Sequence, residues 1–177
     1  MLRIAFTGHR SRHLFGYDPG PWQDLSARLE RELAELRPSE IITGGAQGFD
    51  QTAFWTAHRM RSYLDLRNVV YVPCQEQDSL WSEDGLFGRR QFRKMLSLAD
   101  DVCYTDPGTG LSMSKLMHHR NHRMVNDCDL LIALWCPKMD PMRSPGGTAE
   151  CMRYALSVRK RIICIDPYDR DAPLVEL

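Results

Sequence analysis

Three features are missing from this sequence, and each absence narrows the class of protein. The chain has no excess of either charge, because 23 lysines and arginines balance 23 aspartates and glutamates. Such a chain has no overall basic field that would hold nucleic acid through counterion release. Its apolar runs are too short for a membrane-spanning helix, and the start, Met1 to Phe6, is too short for the apolar core of a signal peptide. We therefore expect no membrane partner.

Paired cysteines are also missing, because the six cysteines form no C-x-x-C pair. They are scattered and several lie in apolar strand-like runs, which is typical of reduced, buried thiols. This pattern predicts a cytoplasmic protein. The length of 177 residues suits one domain with its own core, and we expect a single domain over residues 1–177.

Short apolar runs alternate with amphipathic segments along the chain. Residues 2–6, 68–72 and 130–134 are strand-like, and residues 21–36 carry apolar side chains at the three- and four-residue steps of a helix. Two prolines bracket that helix, as expected at its first turn and after its end. The alternation predicts an α/β fold with helices on both faces of a mostly parallel sheet of about six strands.

A glycine turn follows the second predicted strand and opens a helix. Its glycines, Gly44, Gly45 and Gly48, permit positive φ and allow a ligand to approach the free N–H groups of the helix start, where phosphate is the expected guest. Gln47 and Asp50 in the same segment are further candidate ligand contacts. The spacing matches neither the dinucleotide fingerprint nor a P-loop. A turn that only closes a strand–helix unit is the alternative interpretation.

A polar cluster follows the first predicted strand. It consists of Thr7, Gly8, His9 and Arg10. Ligands of parallel α/β sheets bind outside the carboxyl ends of the strands, so this cluster is a candidate site lining. The alternative is that His9 and Arg10 are only solvated loop residues.

A second polar concentration lies on the predicted helix over residues 114–125. Arg120 and Asn121 supply cationic and amide donors that suit a phosphate or a carboxylate. His118 and His122 are four residues apart and share a helix face, as metal ligands can. Two imidazoles without the glutamate of an H-E-x-x-H motif do not make a site, so we expect no metal.

A second glycine turn precedes the last predicted helix. Gly146 and Gly147 follow the most apolar strand-like run and again leave a bare backbone at a helix start, with Thr148 as a hydroxyl donor and Glu150 as the nearby acid. Two such turns after two parallel strands are more specific for an anion site than one.

Together these motifs resemble the SLOG superfamily, specifically its YpsA/YspA-like branch. The matching segments, from residue 2 to about 166, are Thr7 to Arg10, Thr43 to Asp50, Gln77 to Trp81, Arg120 and Asn121 with Met124, Asp129 to Ala133, and Gly146 to Thr148. The resemblance implies a Rossmann-like three-layer fold and a nucleotide-derived ligand. The superfamily includes DNA-processing DprA proteins and the Lonely Guy phosphoribohydrolases, which cleave the N-glycosidic bond of nucleoside monophosphates.

The sequence departs from the Lonely Guy pattern at the acid. That pattern, Pro-Gly-Gly-x-Gly-Thr-x-x-Glu, places a glutamate three positions after the threonine, whereas Glu150 follows Thr148 by two and Cys151 takes the matching position. One residue on a helix is a rotation of about 100°, which turns the carboxylate away from a ribose unless the helix start also shifts. Arg120 matches the arginine of the family's Arg-x-x-x-Met motif, and Asn121 replaces its usual lysine.

Three functions of different class remain open. The first is a binder or sensor of a nucleotide or nucleotide-sugar, with phosphate on both glycine turns, Arg10 and Arg120 as charged clamps, and no further cofactor. The second is an N-glycosidic hydrolase or transferase on nucleoside monophosphates, with Glu150 and Arg120 as the catalytic pair. The third is a DprA-like binder of single-stranded DNA, which the zero net charge disfavours. A homo-oligomer is compatible with any of the three.

Overall fold

The computed structural model of the protein describes residues 1–106, 108 and 110–177. Within these residues, strands and helices alternate as the apolar periodicity predicts. The strands are β1 (Arg3–Gly8), β2 (Glu40–Thr43), β3 (Arg67–Val72), β4 (Asp101–Tyr104), β5 (Leu130–Leu134), β6 (Arg161–Ile165) and β7 (Val175–Glu176). The helices are α1 (Pro19–Leu36), α2 (Phe49–Met60), α3 (Arg89–Leu98), α4 (Met113–Asp127) and α5 (Gly147–Ser157), and a short 3-10 helix spans Ser11–His13.

The strands form one sheet in the order β4-β3-β2-β1-β5-β6-β7. All neighbouring pairs are parallel except β6 and β7, which are antiparallel. The predicted α/β fold with a mostly parallel sheet is confirmed. The sheet has seven strands rather than about six, because β7 adds two residues at one edge, where Glu176 contacts Arg161 at 2.8 Å. Two residues are too few to give a periodic signal in the sequence.

Helices cover both faces of the sheet, which gives the three layers expected of a Rossmann-like fold. Alternate residues of β1 show the division: Ile4 and Phe6 point into a core shared with α1 and α2, whereas Ala5 belongs to a core shared with α4 and α5. A third cluster packs α3 through Phe92 and Met95 against β3 on the α2 side. This apolar packing on both faces of the sheet holds the strands in place. It thereby fixes the positions of the loops that follow the strands.

Helix α1 begins two residues earlier than the apolar periodicity predicts. Asp18 is its N-cap and accepts a hydrogen bond from the Gly20 N–H at 3.0 Å. Pro19 and Pro21 therefore both lie in the first turn of the helix. The helix ends at Arg37, which adopts a left-handed conformation with φ of 47°.

The middle of the sheet is a topological switch point. β1 pairs with β2 on one side and with β5 on the other, so the connections that leave the carboxyl ends of β1 and β5 diverge. In open α/β sheets this divergence opens a crevice in which ligands bind. Among the described helices, none has the length and apolar character needed to cross a membrane.

Candidate functional site

A cleft of about 490 Å³ lies at this switch point, a size typical of small-molecule sites. Four segments form it: the end of β1 with the loop that follows, the first glycine turn with the start of α2, the N-terminal half of α4, and the second glycine turn. The lining residues are Phe6 to Arg10, Arg12, His13, Ala46, Asp50, Met113, Ser114, Met117, His118, Arg120, Asn121 and Pro145 to Thr148.

Most of the residues that the sequence singles out meet in this cleft. Those that line it are Thr7, Gly8, His9, Arg10, Asp50, Arg120, Asn121, Gly146, Gly147 and Thr148. Those that lie outside its lining are Gly44, Gly45, Gln47, Gly48 and Glu150. The two glycine turns therefore differ, because the second borders the cleft through its glycines and the first does so only through Ala46 and Asp50.

The first glycine turn is packed by the protein itself. Gly45 has φ of +67°, and a Cβ added there would lie 2.7 Å from the Phe92 ring and 2.9 Å from the Met95 methyl group. Gly48 has φ of +102°, and its added Cβ would lie 2.7 Å from the backbone nitrogen of Ser11. Gln47 donates to the Phe87 carbonyl at 3.0 Å. The space that Gly45 and Gly48 create is thus used by neighbouring chain segments, in contrast to the predicted approach of a ligand.

Gly44 makes room for the side chain of Arg120. A Cβ added at Gly44 would coincide with Nη1 of Arg120 and would lie 2.8 Å from Oδ2 of Asp50. The same Oδ2 accepts a hydrogen bond from the Ala46 N–H at 3.3 Å and lies 3.5 Å from Arg120 Nη1. Burial raises the pKa of the Asp50 carboxyl, and Arg120 and the N–H groups of Ala46 and Gly44 oppose that rise.

Arg120 is buried but weakly satisfied. Only 4% of it is exposed, its contact to Asp50 is long at 3.5 Å, and its other contact is to the sulfur of Met117, a weak acceptor. Its Nε is buried and has no hydrogen-bond partner among the described residues. A buried guanidinium is normally held by short, charge-assisted hydrogen bonds. Arg120 therefore has unused capacity to bind an anion in the cleft that it lines.

The second glycine turn is open. Gly146 is the N-cap of α5 with φ of +98°, and no side chain caps the helix. In the described part of the chain, no heavy atom outside the turn lies within 4 Å of a Cβ added at Gly146 or at Gly147. The first N–H groups of α5 and the hydroxyl of Thr148 thus meet the cleft without a protein partner in the way.

The end of β1 adds positive charge and an aromatic face. The His9 ring stacks on Trp135 with the ring centres 5.5 Å apart, and burial, with a smaller contribution from His13, lowers the pKa of His9. Arg10 and Arg12 also line the cleft, and neither forms a salt bridge within the described residues. With Arg120, the cleft has three arginines against one carboxylate, so it is electropositive although the chain as a whole is neutral.

Several lining residues were missed at the sequence level. Met113 and Met117 lie on the same face of α4 as Arg120, seven and three residues before it, and this helical periodicity could have identified them. Arg12 and His13 lie in the short 3-10 helix after β1, which no sequence pattern marks.

Glu150 is turned toward α4 and away from the cleft lining. Its Oε1 lies 2.6 Å from Nε2 of His122, and the His122 ring stacks on Tyr154 with the centres 3.7 Å apart. Cys151, which takes the position of the family's glutamate, is buried, and burial raises its pKa to about 12. No group of three His, Cys, Asp or Glu side chains that could hold a metal ion occurs among residues 1–106, 108 and 110–177.

The comparisons with known proteins agree with this architecture. An uncharacterized SPbeta prophage-derived protein, YoqJ of Bacillus subtilis (strain 168), is 29% identical over 143 residues, which covers 74% of this chain and 77% of that protein. DNA processing protein A (DprA) of Streptococcus pneumoniae superposes with a TM-score of 0.60 and 12% identity, over 93% of this chain and 50% of that one.

DprA of Helicobacter pylori, described as having a unique single-stranded DNA binding mode, gives a TM-score of 0.57 and 19% identity, over 93% of this chain and 65% of that one. This chain thus spans about half the length of the pneumococcal protein, and at these identities the likeness shows the fold alone. The sequence profile of the YspA SLOG family matches residues 4–170, and the chain therefore belongs to that family.

Proposed function

We propose that this protein is a cytoplasmic binder or sensor of a nucleotide or nucleotide derivative, and that the ligand's phosphate binds at the start of α5 beside Arg120. One observation carries the proposal: a buried arginine with only weak contacts lies in the same cleft as an open, uncapped helix N-terminus. Each group binds anions by itself, and together they combine a guanidinium fork with free N–H groups and the positive end of a helix dipole.

The remaining cleft suits the rest of a nucleotide. Its volume of about 490 Å³ is far larger than a phosphate requires. Met113, Met117 and His118 on α4 offer thioether groups and a flat ring, which are favourable surfaces for a planar base. The predicted contacts of Thr148 and Asn121 with the ligand are part of this proposal.

The test is a thermal-shift and calorimetric screen of the purified protein against nucleoside monophosphates, nucleoside diphosphates and nucleotide sugars. A ligand that binds only the folded state adds about 2.7 kcal/mol of stability at a hundredfold excess over its Kd. Native mass spectrometry of the purified protein identifies any ligand that co-purifies. We expect binding of at least one nucleotide class.

A matched pair of variants locates the binding. Gly147→Val places a side chain over the free N–H groups of α5, and no described atom lies close enough to clash with its Cβ. Gly20→Val makes the same change in the first turn of α1, where the added Cβ has only an ordinary 3.5 Å contact with Asp18. We expect Gly147→Val to lose nucleotide binding and Gly20→Val to retain it. Equal binding by both variants would reject the proposed phosphate position.

The enzymatic alternative keeps Arg120 in the cleft, but its proposed acid, Glu150, lies outside the cleft lining. Glycosidic cleavage requires a carboxylate near the positive charge that develops on the ribose, whereas Glu150 is paired with His122 and the Cys151 thiol, with a pKa of about 12, stays neutral. We expect no release of free base from a panel of nucleoside monophosphates. Base release that disappears in Glu150→Gln, with binding retained, would instead make Glu150 and Arg120 catalytic.

Binding of single-stranded DNA is the second alternative, and the structural likeness to DprA favours testing it. Arg10 and Arg12 line the cleft and could contact backbone phosphates. Electrophoretic mobility shifts at 50 and 200 mM salt, about the range over which electrostatic DNA binding falls steeply, provide the measurement. We expect no shift at either concentration with micromolar protein.

A further inference from the structure

We propose that Asp50 determines the class of ligand: it acts as a built-in anion at the first glycine turn, so that the cleft accepts a single phosphoryl group on the second turn and rejects a diphosphate. This inference rests on the proposed function and extends it. It differs from the expectation drawn from the sequence, in which both glycine turns hold phosphate.

A hydrogen-bond donor of the first turn is already in use. Asp50 is the second residue of α2, and its Oδ2 accepts from the Ala46 N–H at 3.3 Å. A phosphate bound at a helix N-terminus uses donors of this kind. The carboxylate therefore occupies the place of the anion that the first turn would otherwise bind.

The glycines of the first turn also have no free space on the side where a Cβ would lie. The position of a Cβ at Gly44 is filled by the Arg120 guanidinium, and those at Gly45 and Gly48 are closed by Phe92 and by the Ser11 backbone. A ligand cannot occupy those positions, so the first turn meets the cleft only through Ala46 and Asp50. The second turn, by contrast, is open at both Gly146 and Gly147.

The charges in the cleft also favour a phosphate on the second turn and disfavour one on the first. Arg120 faces Asp50 with one end of its guanidinium and has a buried Nε without a partner among the described residues. A phosphate on the second turn gains from Arg120, whereas a second phosphate next to Asp50 would bring like charges together. All hydrogen bonds found for the Asp50 side chain use Oδ2, which leaves Oδ1 to accept from a ligand hydroxyl such as that of a sugar.

The test compares inorganic phosphate with inorganic pyrophosphate on the wild-type protein and on Asp50→Asn, by NMR titration. The asparagine has nearly the same shape and keeps an acceptor for the Ala46 N–H, but it removes the negative charge. We expect the wild type to bind pyrophosphate no more tightly than phosphate. In Asp50→Asn we expect pyrophosphate affinity to rise at least tenfold, and phosphate affinity to change less than threefold. An unchanged ratio of the two affinities would reject the role of Asp50.

A measurement on the wild type covers a failure of Asp50→Asn to fold. In the wild type, amide shifts on pyrophosphate addition should occur at Gly147 and Thr148 and not at Ala46 or Gly44. Large shifts of the Ala46 amide would show that ligand enters the first turn and would overturn the proposal.

The outcome is separable from that of the proposed function. A wild-type protein that binds nucleoside diphosphates more tightly than monophosphates would reject the inference about Asp50 and leave nucleotide binding intact. A wild-type protein that binds no nucleotide would reject the proposed function, whereas the comparison of phosphate with pyrophosphate on the two proteins would still decide the effect of Asp50.

Discussion

The two glycine turns look alike in the sequence and differ in use. Each follows a buried parallel strand, has adjacent glycines and opens a helix, yet Gly44 and Gly45 face the protein's own side chains and Gly146 and Gly147 face open space. A glycine supplies room, and the surrounding segments decide whether a side chain or a ligand takes it. The first turn is therefore a packing and ion-pairing element, and the second remains accessible.

The difference comes from residues that are distant in sequence. Phe92 on α3 and Arg120 on α4 reach the first turn, whereas no described atom outside the second turn lies within 4 Å of a Cβ added at its glycines. The comparison can be tested by adding one methyl group at each turn, since the same chemical change should have very different consequences at the two places.

Gly45→Ala should have the largest effect. Positive φ costs an alanine about 1–2 kcal/mol, and overpacking against Phe92 and Met95 adds about 1–3 kcal/mol, so we expect the free energy of unfolding to fall by about 2–5 kcal/mol in urea denaturation. Gly16→Ala is the matched control, because Gly16 has φ of +63° and no described atom within 4 Å of an added Cβ. Equal losses in the two variants would mean that the first turn is not tightly packed.

Gly44→Ala should have the next largest effect on the free energy of unfolding. Its methyl group displaces the Arg120 guanidinium from Asp50, and we expect a loss of about 1–3 kcal/mol in the same measurement, because a buried ion pair is broken. Combining it with Arg120→Ala provides the control: the double variant should lose much less than the sum of the single losses. Additive losses would show that Gly44 and Arg120 do not interact.

Acidification should change the free energy of unfolding by a smaller amount than these two glycine substitutions. Part of this change should come from His9, which lines the cleft. Burial lowers the pKa of His9 below its ordinary 6.5, so the unfolded chain takes up the proton first, and the stability that His9 contributes is lost as the pH falls through 6.5. We expect His9→Gln to weaken the loss of stability on acidification, measured by thermal unfolding between pH 7.5 and about pH 5, the range in which histidine titrates.

Phosphate should reverse part of the lowering of the His9 pKa, because an anion on the second turn favours protonated His9 in the same cleft. His58 is the internal control: burial also lowers its pKa, but it does not line the cleft. In NMR titrations we expect added phosphate to raise the pKa of His9 and to leave that of His58 unchanged. Parallel changes at both histidines would indicate a nonspecific effect of salt.

Gly147→Ala should have the smallest effect on stability. No described atom lies within 4 Å of the added methyl group and its φ is not in the left-handed region, so we expect the free energy of unfolding to change by less than about 0.5 kcal/mol. Phosphate affinity should still fall, because the methyl group narrows access to the N–H groups of α5. A strongly destabilised variant would show that the second turn is packed like the first.

Much of the fold and part of the site could be predicted from the sequence because both depend on local patterns. The carboxyl ends of parallel strands lie at one end of the sheet, so clusters that each follow a predicted strand are expected to meet there, and Thr7 to Arg10 and Gly146 to Thr148 both line the cleft. The position of Glu150 relative to Thr148 likewise indicated a carboxylate turned away from the cleft.

The remainder depends on tertiary packing. Nothing in the spacing of Gly44 and Gly45 indicates that Arg120 and Phe92 fill the space beside them, because those contacts join segments far apart in the chain. The positive charge of the cleft was likewise hidden by a net charge of zero, which averages over surfaces that the fold separates.

Pairing between β1 and β5 joins Ile4 to Leu130, so the ribosome must deliver most of the chain before the cleft can exist. Until then β1 pairs only with β2, and its other edge, from Ile4 to Gly8, lacks its native partner. Unpaired apolar edges are the usual starting points of misassembly. A nascent chain stalled before Leu130 therefore exposes this apolar edge of β1 and cannot yet form the cleft.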